Sequence, residues 1–245
     1  MSGALAGKVA IVTGSTRGIG RGIAARFATE GARVIVNGRK PEDVQRVAEE
    51  IGFGALGIAA DVADSAQAAR LIADAVAKLG RIDVLVNNAG IALDNFLPNT
   101  SDERWRAVLD TNLSGPLYLM RAAVPVMRAQ GGGAILNIVS WSGLRGNVGQ
   151  AAYSASKAGL HGLTLSMAKE LGKFGIRVNA LAPAVPTEMA AEMPEELKEK
   201  ARKRRALKID GTVDDVAEGA LFLVSDRARF TTGQVLHVDG GLHLN

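Results

Sequence analysis

Residues Lys8 to Gly31 read KVAIVTGSTRGIGRGIAARFATEG, and this stretch decides the fold. Its first part, Lys8 to Thr13, is a short apolar, β-branched run of the kind expected for a strand buried on both faces of a parallel sheet. A glycine-rich segment, Thr13-Gly14-Ser15-Thr16-Arg17-Gly18-Ile19-Gly20, follows directly. Behind it Ile23, Ala24, Phe27 and Ala28 form a helical stripe that Gly31 closes. Strand, glycine-rich turn and helix in that order are the context a phosphate-binding loop requires. Glycines let an anion approach the backbone closely, and the helix N-terminus offers unpaired N–H groups and the positive end of its dipole. Taken alone, the same turn also suits a purely structural role.

The alternation continues. Further strands are predicted at Arg33–Asn37, Ala55–Ala60, Ile82–Val86, Ala134–Val139, Ile176–Leu181 and Gln234–Val238. Between them lie helical patterns. Pro41–Ile51 carries Val44, Val47, Ala48 and Ile51 on one stripe, with proline in its first turn. The helix after Asp64 carries Ile72, Ala75, Val76 and Leu79, with Asp64 and Gln67 in capping-box spacing and Gly80 as its stop. A long helical region lies within Ser101–Met127, and another helix, starting near Tyr153, buries Leu160, Leu163, Met167 and Leu171. Thr212 and Asp215 cap a helix that leads to the last strand. Seven strands alternating with helices predict one doubly wound α/β domain over residues 1–245, a seven-stranded parallel sheet flanked by helices on both faces.

Composition narrows the function. Cysteine is absent, so disulfides and thiolate zinc sites are excluded. The N-terminus lacks a basic segment followed by an apolar core, and no apolar run approaches the ~18 residues of a membrane span, so a cytoplasmic protein without membrane contact is expected. Between Lys198 and Lys208 stand seven Lys or Arg and one Glu, an excess of six positive charges; against a net charge of +4, the remainder of the chain is therefore mildly acidic. That local patch has no aromatic platform beside it, so nucleic-acid binding is not expected. His161, His237 and His243 show no ligand spacing, and no metal site is expected.

The unusual residues share one edge. Gly14, Asn37, Asp61, Asn87, Asn88, Ser140 and Pro183 each fall at the carboxyl end of a predicted strand, where ligands bind in open α/β sheets. After Ser140 comes the run to Lys157, SWSGLRGNVGQAAYSASK, in which Tyr153 and Lys157 are four apart and share a helix face. A phenol has pKa ~10 and is a poor base, but an ammonium one turn away favours the phenolate and lowers that value. The arrangement suits moving a proton.

Over essentially its full length the chain resembles the short-chain dehydrogenase/reductase family. The resemblance rests on T-G-x-x-x-G-I-G at Thr13–Gly20, Asp61-Val62, N-N-A-G at Asn87–Gly90, Asn112 in D-T-N-L, Ser140, Y-x-x-x-K at Tyr153–Lys157, and Val178-Asn179. Within the family, Ala89–Asn95 and His237–Gly241 are most similar to the 3-oxoacyl-acyl-carrier-protein reductases, a group that also includes sugar and alcohol dehydrogenases. The resemblance implies a Rossmann-type fold, a homotetramer paired through the helices in Ser101–Met127 and Tyr153–Lys173, and hydride transfer between a nicotinamide cofactor and a carbonyl. Tyr153 would be the general acid in reduction, Lys157 would tune it and hold the ribose, Ser140 would bond the substrate oxygen, with Ser142 a rival, and Asn112 would hold a relay water. Cofactor contacts would come from Gly14 through Gly20 (Ser15, Thr16, Arg17, Gly18 and Ile19 between), Asn37, Arg39, Asp61, Val62, Asn88, Ala89, Gly90, Tyr153, Lys157, Pro183, Val185 and Thr187. The segment Pro183-Ala184-Val185-Pro186-Thr187 departs from the family's Pro-Gly pattern and brings its threonine one residue closer.

The end of the second strand bears on cofactor choice. An acid there would accept ribose hydroxyls, whereas arginine accommodates a 2′-phosphate. Asn37-Gly38-Arg39 has no acid, and Arg17 lies in the adjoining loop, so NADP(H) is expected over NAD(H). A substrate lid is expected at about 188–210. Its run from Pro194 to Arg205 has acids first and bases last, which complements a helix dipole and reads as a solvated helix face. A second reading has Arg202, Lys203, Arg204 and Arg205 attract an acidic acyl thioester on coenzyme A or a carrier protein. Phe96, Trp141, Met189 and Met193 would line an apolar pocket or pack in the core. The functional expectation is thus an NADP(H)-dependent ketone reductase acting on 3-oxoacyl thioesters. The alternatives are an oxidative sugar or secondary-alcohol dehydrogenase and a non-catalytic nucleotide-binding scaffold, against which the presence of Tyr153, Lys157 and Ser140 speaks.

Overall fold

The computed structural model describes residues 3–185 and 195–244. Seven strands, β1 (Val9–Val12), β2 (Arg33–Gly38), β3 (Leu56–Ala59), β4 (Val84–Asn87), β5 (Gly133–Ile138), β6 (Ile176–Pro183) and β7 (Val235–Val238), form one sheet. Their order is β3-β2-β1-β4-β5-β6-β7, and every neighbouring pair is parallel. All seven lie within two residues of the ends predicted from sequence. The helices are α1 (Gly18–Thr29), α2 (Pro41–Ile51), α3 (Ser65–Leu79), α4 (Asp102–Leu109), α5 (Gly115–Ala129), α6 (Ser142–Arg145), α7 (Ala151–Leu171), α8 (Glu195–Arg204) and α9 (Val213–Val224) among the described residues. None of them is long and apolar enough to cross a membrane.

Both sheet faces are covered, which is why the strands read as continuous apolar runs rather than alternating ones. Ala10 and Val12 of β1 and Val84 and Val86 of β4 pack with Ile23, Phe27, Val216 and Leu221 of α1 and α9. Ile11 and Leu85, one residue out of phase, pack instead with Leu71, Ile72, Leu119 and Met127 of α3 and α5. The period of two thus survives as a choice between two cores. Each fully buried Leu, Ile or Phe contributes about 1.5–3 kcal/mol by leaving water.

Local signals act largely as the sequence suggests. Thr212 and Asp215 form a reciprocal capping box at the start of α9. The Asp64 carboxylate accepts the N–H groups of Ala66 and Gln67, but the Gln67 side-chain Oε1 reaches past the cap to accept the N–H of Asp61, 3.0 Å away. The box therefore extends by one loop and fixes the end of β3. The long helical region after Ser101 divides into α4 and α5, joined by a π turn at Asp110–Ser114.

Buried polar groups set the register between layers. The Asn87 amide donates to Asn137 Oδ1 at 2.8 Å, Asn137 Nδ2 donates to Thr164 Oγ1 at 2.9 Å, and the Thr164 hydroxyl donates to the Leu160 carbonyl at 2.8 Å. This chain pins α7 over β4 and β5. At the opposite, amino edge of the sheet, Asp83 is only 6% exposed and accepts the Val9 N–H at 2.8 Å and a bidentate pair from Arg81 at 2.7 and 2.9 Å. It ties the start of β1 to the start of β4. Asp83→Ala leaves the Val9 N–H buried without a partner and is expected to cost about 2–4 kcal/mol in urea unfolding at fixed protein concentration. An Arg81→Ala variant, whose partner is already satisfied by the backbone, should cost less.

Candidate active site

The order of strands reverses between β1 and β4, and a crevice opens at their carboxyl ends, where the loops after them part to opposite sides. After β1 the glycine-rich turn passes under α1. Gly14 is left-handed at φ +61°, and a Cβ there would stand 2.8 Å from the Ala89 Cα; Gly20 abuts Asn88 and the Gly14 carbonyl closely enough that no side chain fits. Asn88 clamps the turn from the β4 side, its Nδ2 donating to the carbonyls of Thr13 and Gly14 at 2.8 and 3.0 Å. The N-terminus of α1 has no side-chain cap and no acid in its first turn, and a Cβ built on Gly18 would meet nothing within 4 Å. Open space before unpaired N–H groups at a positive dipole end fits an anionic group such as a pyrophosphate. Arg17 and Arg39 are exposed beside it, and neither side chain has an ion-pair or hydrogen-bond partner among the described residues.

Two residues expected to touch a ligand turn their side chains into the protein. The Ser15 hydroxyl is fully buried, donating to the Val12 carbonyl at 2.6 Å and accepting the Asn37 N–H at 3.0 Å. Asn37 turns its amide inward to the carbonyls of Ile58 and Ala60, at 3.1 and 3.2 Å. Both side chains brace the loop against β2 and β3. Their polarity at a strand end was compatible with either role, and burial decides it. At Gly38, a Cβ would stand 2.8 Å from Thr16 Cγ2, so this chain has little room for an acid there.

Ser140, Tyr153, Lys157 and Asn112 come together where β5 ends against α7 and the π turn. Ser140 leaves β5 directly, and its hydroxyl accepts the Ser142 N–H at 3.2 Å while hydrogen-bonding the Tyr153 phenol. Of the two rival serines, Ser140 is therefore the one joined to the tyrosine. Lys157 is buried, donates to the Ile138 carbonyl at 2.7 Å, and sits 5.7 Å from the Tyr153 ring centroid. Burial pulls its pKa down to about 8. The Tyr153 phenol moves in the direction opposite to the expectation from sequence. Burial pushes its pKa up and Asp94 adds to the rise, against a smaller lowering by Ser140. The cause is desolvation, the largest influence on both groups, which disfavours the phenolate as it disfavours the ammonium.

Asn112 stands behind this cluster, inside the π turn. Its side chain is fully buried, with Nδ2 donating to the Ile91 carbonyl at 2.9 Å and to Ser156 Oγ at 3.1 Å, and Oδ1 accepting the Ile91 N–H at 2.8 Å. Both amide hydrogens are used, so this side chain braces the β4 loop against α7, and a relay water would have to be held by main chain. Ser156 completes the brace by donating to the Tyr153 carbonyl at 2.7 Å.

Of the remaining candidates, Val62 is buried and backs Gly115, Asp61 accepts the Ala63 N–H, the Ala89 N–H meets Thr13 Oγ1, and Gly90 lies beside Lys157 Nζ and Asn112. Thr16 and Ile19 are half-buried in the glycine turn, while Pro183 ends β6 and Val185 follows it, both half-buried, Val185 packing partly on the core. Thr187, Met189 and Met193 lie outside the described residues. Phe96 is 62% exposed on the loop after β4. Trp141 is half-buried, its ring flanked by the guanidinium groups of Arg145 at 5.7 Å and Arg204 at 5.6 Å, which brings α8 onto the loop after β5.

The basic run after α8 begins is largely committed to internal pairs. Arg202 bonds Glu199 and Asp210, Arg205 bonds Asp210 and the Ala184 carbonyl, and Lys208 caps the carbonyls of Lys203 and Arg205. The sequence reading passed over Asp94, which raises the tyrosine pKa and accepts a hydrogen bond from Gln150 at 2.8 Å. It also passed over the proximity of His237, Asp239 and His243. For Asp94 the only signal was its place in the loop after N-N-A-G; for the second group it was the pattern H-x-D-x-x-x-H across a glycine pair.

Comparison with known proteins agrees with this geometry. A family profile described as Enoyl-(Acyl carrier protein) reductase matches residues 14–243. The chain is 44% identical over 243 residues to a 3-oxoacyl-[acyl-carrier-protein] reductase of Staphylococcus aureus, covering 97% of this chain and 98% of that one. It is 42% identical to the protein of the same name from Thermotoga maritima, with the same coverage. A solved structure from Burkholderia xenovorans, assigned as a short-chain dehydrogenase/reductase, superposes with a TM-score of 0.92 at 38% identity and 99% coverage of both chains. One from Sinorhizobium meliloti, assigned as a short-chain alcohol dehydrogenase, gives 0.94 at 34% identity and 98% coverage of both. With a full-length match in sequence and fold around a Ser140–Tyr153–Lys157 cluster, the chain belongs to the short-chain dehydrogenase/reductase family of oxidoreductases, which interconvert CH–OH and C=O groups.

Proposed function

We propose that this chain reduces a 3-oxoacyl thioester to the 3-hydroxyacyl thioester with NADPH. The observation that carries the reading is the Tyr153 phenol, hydrogen-bonded to Ser140 and held protonated by burial at the mouth of the crevice. A general acid must hold its proton at working pH, and burial of the phenol favours that. The oxidative alternative, a sugar or secondary-alcohol dehydrogenase, would run the same proton transfer in reverse. The names of the Staphylococcus aureus and Thermotoga maritima relatives support the same substrate class.

When bound, the dinucleotide supplies a hydride to the substrate carbonyl carbon. The residues of this chain do the rest. Gly18 and Ile19, at the uncapped N-terminus of α1, would receive the pyrophosphate. Gly90, lying against Lys157, would let the nicotinamide ribose approach that ammonium. Asp61, Val62, Ala89 and Pro183 would border the rest of the cofactor. Ser140 Oγ–H donates to the carbonyl oxygen as negative charge develops there, and the Tyr153 O–H delivers its proton to the same oxygen. One hydride and one proton thus convert the ketone to the alcohol.

Arg39, exposed after a glycine in place of an acid, and Arg17 would hold the 2′-phosphate in bidentate fashion. Thr187 would bond the carboxamide, as expected from family resemblance. The pairing of Arg202 and Arg205 with Glu199 and Asp210 supports a structural role for those arginines, with Trp141 and α8 bordering the acyl entrance. A homotetramer fits the exposed Trp105, Leu117 and Leu165 on α4, α5 and α7, which a partner subunit would cover.

Three measurements test this reading. With acetoacetyl thioesters and NADPH consumption as readout, Tyr153→Phe should lower kcat by about 10²–10⁴ while leaving NADPH binding by fluorescence titration unchanged. Equal loss of binding would assign the tyrosine a structural role. Arg39→Ala should raise KM for NADPH about tenfold or more with little change for NADH, the size of one charge-assisted hydrogen bond; an equal change for both would refute the phosphate contact. Because the Lys157 ammonium has a pKa of about 8 and is charged below it, NADPH affinity should fall as pH rises through about 8. Lys157→Arg, which stays charged, should abolish that step.

A further inference from the structure

The end of the chain folds three side chains together away from the machinery described above. β7 delivers His237 and then Asp239, and the left-handed pair Gly240 and Gly241, at φ +62° and +80°, turns the chain back. A single 3₁₀ turn at Leu242–Leu244 then lays His243 over His237, with ring centroids 4.1 Å apart and planes inclined by 19°. Both imidazoles present Nδ1 to one carboxylate oxygen, Asp239 Oδ2, at 2.9 Å from His243 and 3.9 Å from His237. The three donor atoms all lie within 4.8 Å of one another.

Hydrogen bonding accounts for only part of this group. Asp239 is buried and oriented from outside the cluster, Oδ1 accepting the Gly241 N–H at 2.8 Å and Oδ2 the His243 N–H at 2.9 Å. His243 has the carboxylate. His237 Nδ1 is buried with no hydrogen-bond partner. A buried ring nitrogen facing a carboxylate it does not reach is a donor atom without an explanation in the protein's own contacts.

We propose that His237, Asp239 and His243 bind a borderline divalent cation of the zinc class. Two imidazole nitrogens and one carboxylate oxygen are ligands for Zn²⁺, Co²⁺ or Ni²⁺ and a poor set for Mg²⁺ or Ca²⁺, which take oxygen ligands. Tetrahedral coordination at about 2.0–2.1 Å separates neighbouring ligand atoms by about 3.3 Å. The separations here bracket that value, and because an ion lies in the plane of each ligating ring, the two stacked imidazoles swing apart about their side-chain torsions to share it. The ion replaces the His243–Asp239 hydrogen bond and engages the unpartnered nitrogen of His237, leaving the fourth position to water. Backbone N–H groups on the carboxylate supply the orienting contacts that metal-bound carboxylates commonly have.

The role is structural, and it stands apart from the reductase reading. The His243 carbonyl accepts a hydrogen bond from Arg145 at 2.8 Å, and Gly240 and Gly241 pack against Arg205 and Ala206. Securing the C-terminal turn therefore secures α6 and the segment after α8. The test uses full-length, tag-free protein stripped with EDTA, titrated with CoCl₂ and read by ligand-field absorption, with ZnCl₂ calorimetry beside it. The expected result is one Co²⁺ per chain with the intense visible bands of a tetrahedral site, displaced by Zn²⁺ and not by Mg²⁺. His237→Asn and His243→Asn should each weaken binding by at least about tenfold, and Zn²⁺ should raise the melting temperature of the wild type only. Absence of saturable Co²⁺ uptake by the wild type, or equal uptake by the double variant, overturns the proposal and leaves a histidine-capped aspartate.

Discussion

One hydroxyl group joins the two halves of the crevice. Thr13, buried at the end of β1, donates to the Val86 carbonyl at 3.1 Å and accepts the N–H groups of Asn88 and Ala89 at 3.0 and 3.1 Å. It sits where the strand order reverses, so the glycine turn on one side and the Asn88–Gly90 loop on the other are positioned from the same atom. A parallel sheet covered on both faces leaves its polar main-chain ends no water to bond. Side chains at the carboxyl edge must satisfy them, and that requirement explains why Thr13, Ser15, Asn37 and Asn88 are polar as well as any contact with a ligand does.

The same economy extends across the site. Asn87, Asn137 and Thr164 fix α7 to the sheet, and Asn112 with Ser156 fixes it to the loop after β4. Tyr153 and Lys157 thus project from a helix held at two levels by buried hydrogen bonds. Their environment, more than their mutual distance, sets their protonation. Burial disfavours charge on both, raising the phenol and lowering the ammonium, which leaves the tyrosine an acid and the lysine close to its titration point at neutral pH.

Most of the architecture was legible in the sequence because its signals are local. Strand runs such as KVAIVT and RVIVN, caps at Asp64 and Thr212, and stops at Gly31 and Gly80 each depend on a few neighbours and survive into the fold. The strand-end placement of Gly14, Asn88 and Ser140 was legible for the same reason. Properties that depend on burial were not. Ser15 and Asn37 look like ligand contacts until the depth of the loop is known, and the sign of the Tyr153 shift depends on desolvation that no spacing encodes. The π turn at Asp110–Ser114 left no mark in the apolar pattern, and the His237–His243 stack depends on a two-glycine reversal that a search for helical or strand spacing passes over.

That π turn carries a consequence for how this chain can vary in length. It holds one residue more than a regular helix needs over the same rise, so losing a residue there would repair the helix rather than break it. The repair would leave α5 in nearly its present phase, because the wide turn already absorbs the residue that would otherwise rotate everything after it by about 100°. Leu119, Met120, Ala123 and Met127 would go on facing β4 and β5, whereas Asn112, inside the turn, would leave Ile91. The irregular turn therefore separates two demands, holding the core phase of α5 while setting Asn112 for the crevice, and the fold tolerates a deletion within it more readily than an insertion in α4 or α5.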